Sequence, residues 1–403
     1  MKKSSFLVAV LLIVVISLGA CVNLPAPTLT NAQQTAVYQT LTAIASENIP
    51  SQTPLPSPTN TPEPTNTATA TQTPVLNTSI GPDNFPEDVD PLTGLKVEDP
   101  ALLDRRPVLI KVSNFPVEGR PHSGLSYADI VFEYYIGAGS NRFAALYYGQ
   151  DCNAVNPIRS VRRVDGQIAR LYQSVLAYSG GNGENVLPLI FELLPNRTMA
   201  EGLCPGVCDD GHGWVTTVYG DSAALTNYFK STGADTGRED LTGMLFDETA
   251  PTGGEAGQSA WVKYTDYTMS EWVYDEESGK YLRWTEDPTQ GYIMIPLVDK
   301  LTGEQLAFSN VIVLNTYVTE YTTVLHDMTL RDNTDGQNAT IFRDGKAYQV
   351  TWKATNPDKP LQFFDKQGNL FPLKPGNSWM ALIGITSNLS VENSEWVFSF
   401  SIP

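Results

Sequence analysis

The chain has 403 residues, with 44 acidic side chains against 26 Lys and Arg and a formal net charge of −18. That balance argues against nucleic acid or an anionic membrane surface as an electrostatic partner. The length is enough for two or three domains with a substantial core.

Met1-Lys2-Lys3 is positively charged, and Phe6 to Leu18 is apolar. Leu18-Gly19-Ala20-Cys21 then sets small residues before a cysteine, as in a lipobox. Cleavage before Cys21 and thioether acylation of its sulfur are expected. The apolar run is short for a membrane span, which takes about 20 residues. Residues 1–21 are therefore read as a lipoprotein signal peptide ending at the lipobox cysteine. The expected location is the extracytoplasmic face of the cell membrane, with the lipid anchor on Cys21. Residues 22–86 are rich in Thr, Pro, Ala and Asn and too poor in apolar residues for a core. They read as a disordered, semi-stiff tether.

Folding is expected from about Pro91. Arg106 to Asn114 reads as a strand. From Asp129 to Ile136 side chains alternate, Ile130, Phe132, Tyr134 and Ile136 on one face and Asp129, Val131, Glu133 and Tyr135 on the other. Arg142 to Tyr148 alternates likewise, and Gly137 to Ser140 suits a turn, so the two strands are expected to pair antiparallel. After the loop Asn156-Pro157-Ile158, a helix is expected from near Ser160, carrying Arg162, Ile168, Leu171, Val175 and Leu176 and stopping near Gly180-Gly181. Asp221 is placed to cap a helix reaching Lys230, with Leu225 and Phe229 on one face and Gly233 at its end. Beyond Trp261 the pattern is strands and turns, including hairpins at Gly279 and Asp344-Gly345. The fold class is α+β: a mixed sheet with a few packing helices over residues 87–250, and a mostly β domain over 251–403.

Besides Cys21 there are three cysteines in an oxidising setting. Cys204 and Cys208 close a small disulfide loop in the favoured pairing, and a bridge from Cys152 to either is the competing one. Cys204, Cys208, Asp209, Asp210 and His212 offer metal ligands at a spacing that fits no standard zinc pattern. No metal or cofactor is expected.

The run Arg120 to Glu133, RPHSGLSYADIVFE, is followed by Asn141-Arg142-Phe143 and by Asn156-Pro157-Ile158-Arg159-Ser160-Val161-Arg162. These steps resemble the N-terminal domain of the YerB-like lipoproteins, a bacterial family of unknown function. The P-L-T-G step at Pro91, the D-E-E-S-G hairpin at Asp275 and the L-x-P-G-x-x-W step ending at Trp379 extend the resemblance to about Ile385. Asn141 and Asn156 depart from the family pattern, which has Thr or Ser and Gly there. The resemblance implies no activity, since the family has none assigned.

Arg159 and Arg162 lie three apart where a helix is expected to start, and Arg142 sits on a neighbouring strand. Guanidinium groups from separate segments gathering around one open hollow would bind phosphate or carboxylate. Ion pairing with Asp129, Glu133 and Asp165 is the competing, purely structural reading. The ligand-binding candidates are Arg142, Arg159, Arg162, His122, Asp129 and Glu133, with a cell-wall glycan or an envelope protein as partner. The alternative is an envelope hydrolase or transferase using Glu133 or Asp129 with His122. Glu133 and Asp129 would stand about 13 Å apart along a strand, too far for a glycosidase pair by themselves. The sequence holds no serine nucleophile elbow, Walker loop or H-E-x-x-H.

Overall fold

Two adjacent strands, β2 (Ile130–Gly137) and β3 (Ser140–Tyr147), form the hairpin on which the molecule is built. In this computed structural model residues 79–211 and 216–402 are described. The signal peptide, Cys21, the tether up to residue 78 and His212 lie outside them.

β1 (Val108–Ser113) pairs antiparallel with β3, and β4 (Val175–Tyr178) and β5 (Thr198–Ala200) continue the sheet in parallel. On the other side β2 pairs in parallel with Ser378–Gly384, which pairs in parallel with Asn310–Thr322. Gln337–Arg343, Lys346–Lys353 and Gln362–Phe364 then extend the same sheet. Residue 250, where the sequence suggests a domain boundary, therefore falls between strands of one continuous sheet. The described residues belong to one compact unit.

A second sheet is built on Ser259–Thr265, Thr268–Asp275 and Lys280–Asp287, with Glu395–Ser399 added in parallel to the first of these. The architecture is α+β with strands predominating. The large sheet has a core on each face. Ile130, Phe132 and Tyr134 pack with Ile168 and Leu171 of the helix Arg163–Leu171. Val131 and Phe143 pack with Val262, Trp272 and Tyr281 of the second sheet. The alternation read from sequence is thus real, but both faces are dry, so polar residues at the alternate positions are buried as well.

The helix differs from expectation. It begins at Arg163 and ends at Leu171, with Gln173 in the left-handed region at φ 50°. Val175 and Leu176, expected on the helix, instead pair with Val108 and Leu109 of β1. The apolar run Val175–Tyr178 suits a strand buried on both faces, which periodicity cannot separate from a buried helix turn. The helix over Ser222–Ser231 matches its expectation: the Asp221 side chain accepts from Ala224 N, and Leu225 and Phe229 are buried. A short helix, Leu187–Leu193, packs beside the helix Arg163–Leu171. At the Asp344-Gly345 turn both residues have positive φ, 53° and 69°, which is the hairpin geometry that pair favours.

Gly166 sits inside the helix Arg163–Leu171 because the next helix crosses there. A Cβ at Gly166 would lie 2.9 Å from both Ile190 Cδ1 and Leu193 Cδ1. Gly166→Val is expected to cost about 1–3 kcal/mol through overpacking. A urea midpoint equal to that of the parent protein would show that the two helices simply move apart.

Candidate functional site

Lys111 stands in the middle of β1, in the apolar run Val-Leu-Ile-Lys-Val-Ser, and is fully buried. Its Nζ bonds the Tyr134 hydroxyl, which in turn bonds Asp165 Oδ1. The Nζ lies 3.5 Å from Asp165 Oδ1 and 4.0 Å from the Tyr134 ring centre. Asp165 also holds the helix start, its Oδ2 accepting from Arg162 N at 2.6 Å.

Two guanidinium groups close over this buried core. Arg142 lies opposite Tyr134 in the β2–β3 register, which brings it to the loop before the helix. Its Nη1 donates to the Ser160 carbonyl at 2.8 Å, and Arg162 Nη1 donates to the same oxygen at 3.3 Å and to Val161 O at 3.1 Å. Both side chains are partly exposed, yet the Nε of each is buried with no acceptor. Burial, followed by repulsion from Arg162, pushes Arg142 down to about 9. Arg159 adds to the positive field at Arg142, and its own charge is opposed by burial and supported by Glu201. Burial pushes Lys111 down to about 7 against the attraction of Asp165.

Lys111, Arg142 and Arg162 thus surround one carboxylate. Such a cluster has excess positive charge just under the surface, which favours a nearby oxyanion. It is a shallow face rather than the hollow expected from sequence. The cavity that reaches Arg162, between Tyr134, His326 and Met328, holds only about 10 Å³. Lys111 was missed in the sequence. The one signal was a lysine inside an otherwise apolar strand.

The remaining candidates lie elsewhere. Glu133 points to the opposite face of β2, into the layer between the sheets, and is fully buried. Its Oε2 accepts from Trp379 Nε1 at 2.8 Å and faces Arg283 Nη2 at 3.5 Å. Its Oε1 accepts from Asn141 Nδ2 at 2.5 Å and from the Ser270 hydroxyl. Arg283 is stacked between Trp272 and Trp379, 4.7 and 5.1 Å from their ring centres. Burial raises the Glu133 carboxyl, while Arg283, Ser270 and Trp379 pull it back. With this many internal partners, Glu133 is scaffold. It fastens one sheet to the other.

His122 is fully buried, with Nε2 2.8 Å from the Ser113 carbonyl. Burial, then the charge of Arg120, pushes it down to about 3, so it is neutral at ordinary pH. Asp129 turns to a different place again, accepting from Tyr148 N and Gly149 N at 2.5 and 3.2 Å. The six candidates therefore divide among several sites, and only the arginines lie within each other's field. Cys204 and Cys208 are joined by a disulfide, and Cys152 is a buried free thiol. Among the described residues no group of three or more His, Cys, Asp or Glu is placed to hold a metal, and no helix is long and apolar enough to cross a membrane.

Comparison with known proteins places the fold. "Putative lipoprotein YerB" of Bacillus subtilis is 24% identical over 330 residues, covering 78% of this chain and 92% of that protein. The crystal structure of YerB protein from Bacillus subtilis superimposes with a TM-score of 0.59 at 23% identity, over 73% of this chain and 96% of that one, and shows a shared fold. Residues 92–193 match the family model "Protein of unknown function (DUF3048) N-terminal domain", and residues 260–380 match its C-terminal domain. These matches span more than half of the chain, and the protein belongs to the DUF3048 family.

Proposed function

We propose that this protein is a lipid-anchored envelope protein that binds an anionic group, phosphate or carboxylate, on a wall glycan or an envelope partner. Arg142, Arg159 and Arg162 supply the positive face, with Lys111 buried beneath it. The observation that carries the reading is the imbalance at Asp165: three buried or half-buried cations around one carboxylate, with two guanidinium Nε groups lacking an acceptor. A bound oxyanion would offset the mutual repulsion of the arginines. The anchor rests on the lipobox at Cys21 and on the name of the Bacillus relative.

The test is calorimetric titration of the detergent-solubilised full chain with inorganic phosphate and with wall-polymer fragments. Arg142→Ala/Arg162→Ala is expected to weaken binding at least about tenfold, since each charge-assisted bond contributes roughly 1.5–3 kcal/mol. Absence of binding by the parent protein, or equal affinity in the double variant, would end the proposal. The anchor is checked separately. Cys21→Ala is expected to abolish incorporation of labelled fatty acid in the producing cell.

A further inference from the structure

The parallel pairing of β1, β4 and β5 sets their entry ends side by side. Pro107 O accepts from Val175 N at 3.0 Å, and Arg197 O accepts from Leu176 N at 2.8 Å. Arg106 precedes β1, Arg197 precedes β5, and Arg170 lies in the last turn of the helix Arg163–Leu171. All three line one cavity of about 340 Å³. Two of them have fixed partners. Arg106 Nη2 pairs with Glu239 at 2.7 Å, and its Nε and Nη1 donate to the carbonyls of Ala234 and Gln173 at 2.9 and 3.0 Å. Arg170 pairs with Asp358 at 2.6 Å, a carboxylate that Arg331 shares at 3.3 Å.

Arg197 is left over. It is 7% exposed, and among the described residues its side chain makes no hydrogen bond or ion pair. Its Nη1 is sealed without an acceptor, while the rest of the group borders the cavity. Burial, then repulsion from Arg106 and Arg170, pushes it down to about 10, against the pull of Glu239 and Asp358. A cation held there costs stability unless something supplies the missing charge. Three guanidinium groups reaching one space from separate segments suit a tetrahedral oxyanion, whose oxygens point several ways. A planar carboxylate is satisfied by a single arginine fork. A phosphate ester also carries about −1.5 to −2 charge at neutral pH. The volume lies in the range of small-molecule sites, about 300–1,000 Å³, and the exposed side chains of Asn196 and Thr236 add an amide and a hydroxyl to the wall.

We propose that this cavity is a second binding site, for a small phosphate ester with a hydroxyl-bearing body, its phosphate seated among Arg106, Arg170 and Arg197. It lies at the opposite end of the helix Arg163–Leu171 from Arg162, apart from the face described above. The full chain is titrated by calorimetry with glycerol 1-phosphate and, separately, with bis(glyceryl) phosphate. Saturable binding is expected. A preference for the first assigns a free monoester, and a preference for the second assigns a unit of a phosphodiester chain. Arg197→Met keeps the stem without the charge and is expected to weaken one binding event at least about tenfold, whereas Arg142→Ala/Arg162→Ala leaves that event unchanged. Arg197→Met is also expected to raise the urea midpoint in ligand-free buffer, because an unpaired buried charge is removed. A residue kept for structure alone would do the reverse. Failure of both esters to bind, ester binding unchanged in Arg197→Met, or a lower urea midpoint overturns the proposal. So does tighter binding of malonate than of either ester, or loss of all ester binding in a folded Arg142→Ala/Arg162→Ala variant.

Discussion

Glu133→Ala is expected to destabilise the protein by about 3–5 kcal/mol, because it strands a fully buried guanidinium. Arg283 is 0% exposed, its Nε and Nη1 already lack acceptors, and Glu133 is its only carboxylate partner among the described residues. The same substitution leaves Trp379 Nε1 and Asn141 Nδ2 without the oxygens they bond. Glu133→Ala/Arg283→Met removes both charges, and the apolar walls of Trp272 and Trp379 accept a thioether. The double variant is therefore expected to recover much of the loss. Urea denaturation of the two variants measures this. A loss under about 1 kcal/mol in Glu133→Ala would mean that water reaches Arg283 and that the inter-sheet layer is not dry.

The second large effect is expected at Asp165. Asp165→Asn keeps the size and an oxygen for Arg162 N but removes the one negative charge beside Lys111. The ordinary value for Lys111 is 10.5, and burial brings it to about 7 in the folded protein. Between those pH values the unfolded chain holds more protons, so this lysine makes stability rise with pH across that window. Without Asp165 the folded-state value falls further. The parent protein's advantage is therefore largest below pH 7 and fades as pH rises past it. We expect a loss of roughly 3–5 kcal/mol near pH 6 and a clearly smaller one at pH 9. Saturating phosphate should restore part of the loss at pH 6 by supplying the missing charge. Equal losses at the two pH values would remove Lys111 from this account.

Much of the local structure was legible. The β2–β3 hairpin, the Asp221-capped helix and the Asp344-Gly345 turn follow from side-chain alternation, an N-cap and a turn pair, all short-range signals. The segment Val175–Tyr178 was not legible as a strand. Its conformation depends on Val108 and Leu109, far away in the chain, offering their backbone groups. The site was half legible. Arg142 and Arg162 could be singled out, but nothing nearby in sequence announces that Lys111 lies beneath them or that Asp165 stands alone against three cations.

Asp129 and Glu133, four residues apart on one strand, show the division most clearly. Their type and spacing are written in the chain, and by themselves they invite an acid–base reading. Which partners they meet was decided by residues remote in sequence: Asp90 for one, Arg283, Ser270 and Trp379 for the other. The amino-acid order determined the strands, the turns, the lipobox and the family motifs, because those depend on neighbours within a few residues. The folded molecule alone decided which charges are matched, because burial and pairing depend on what the rest of the chain brings against each face of the sheet.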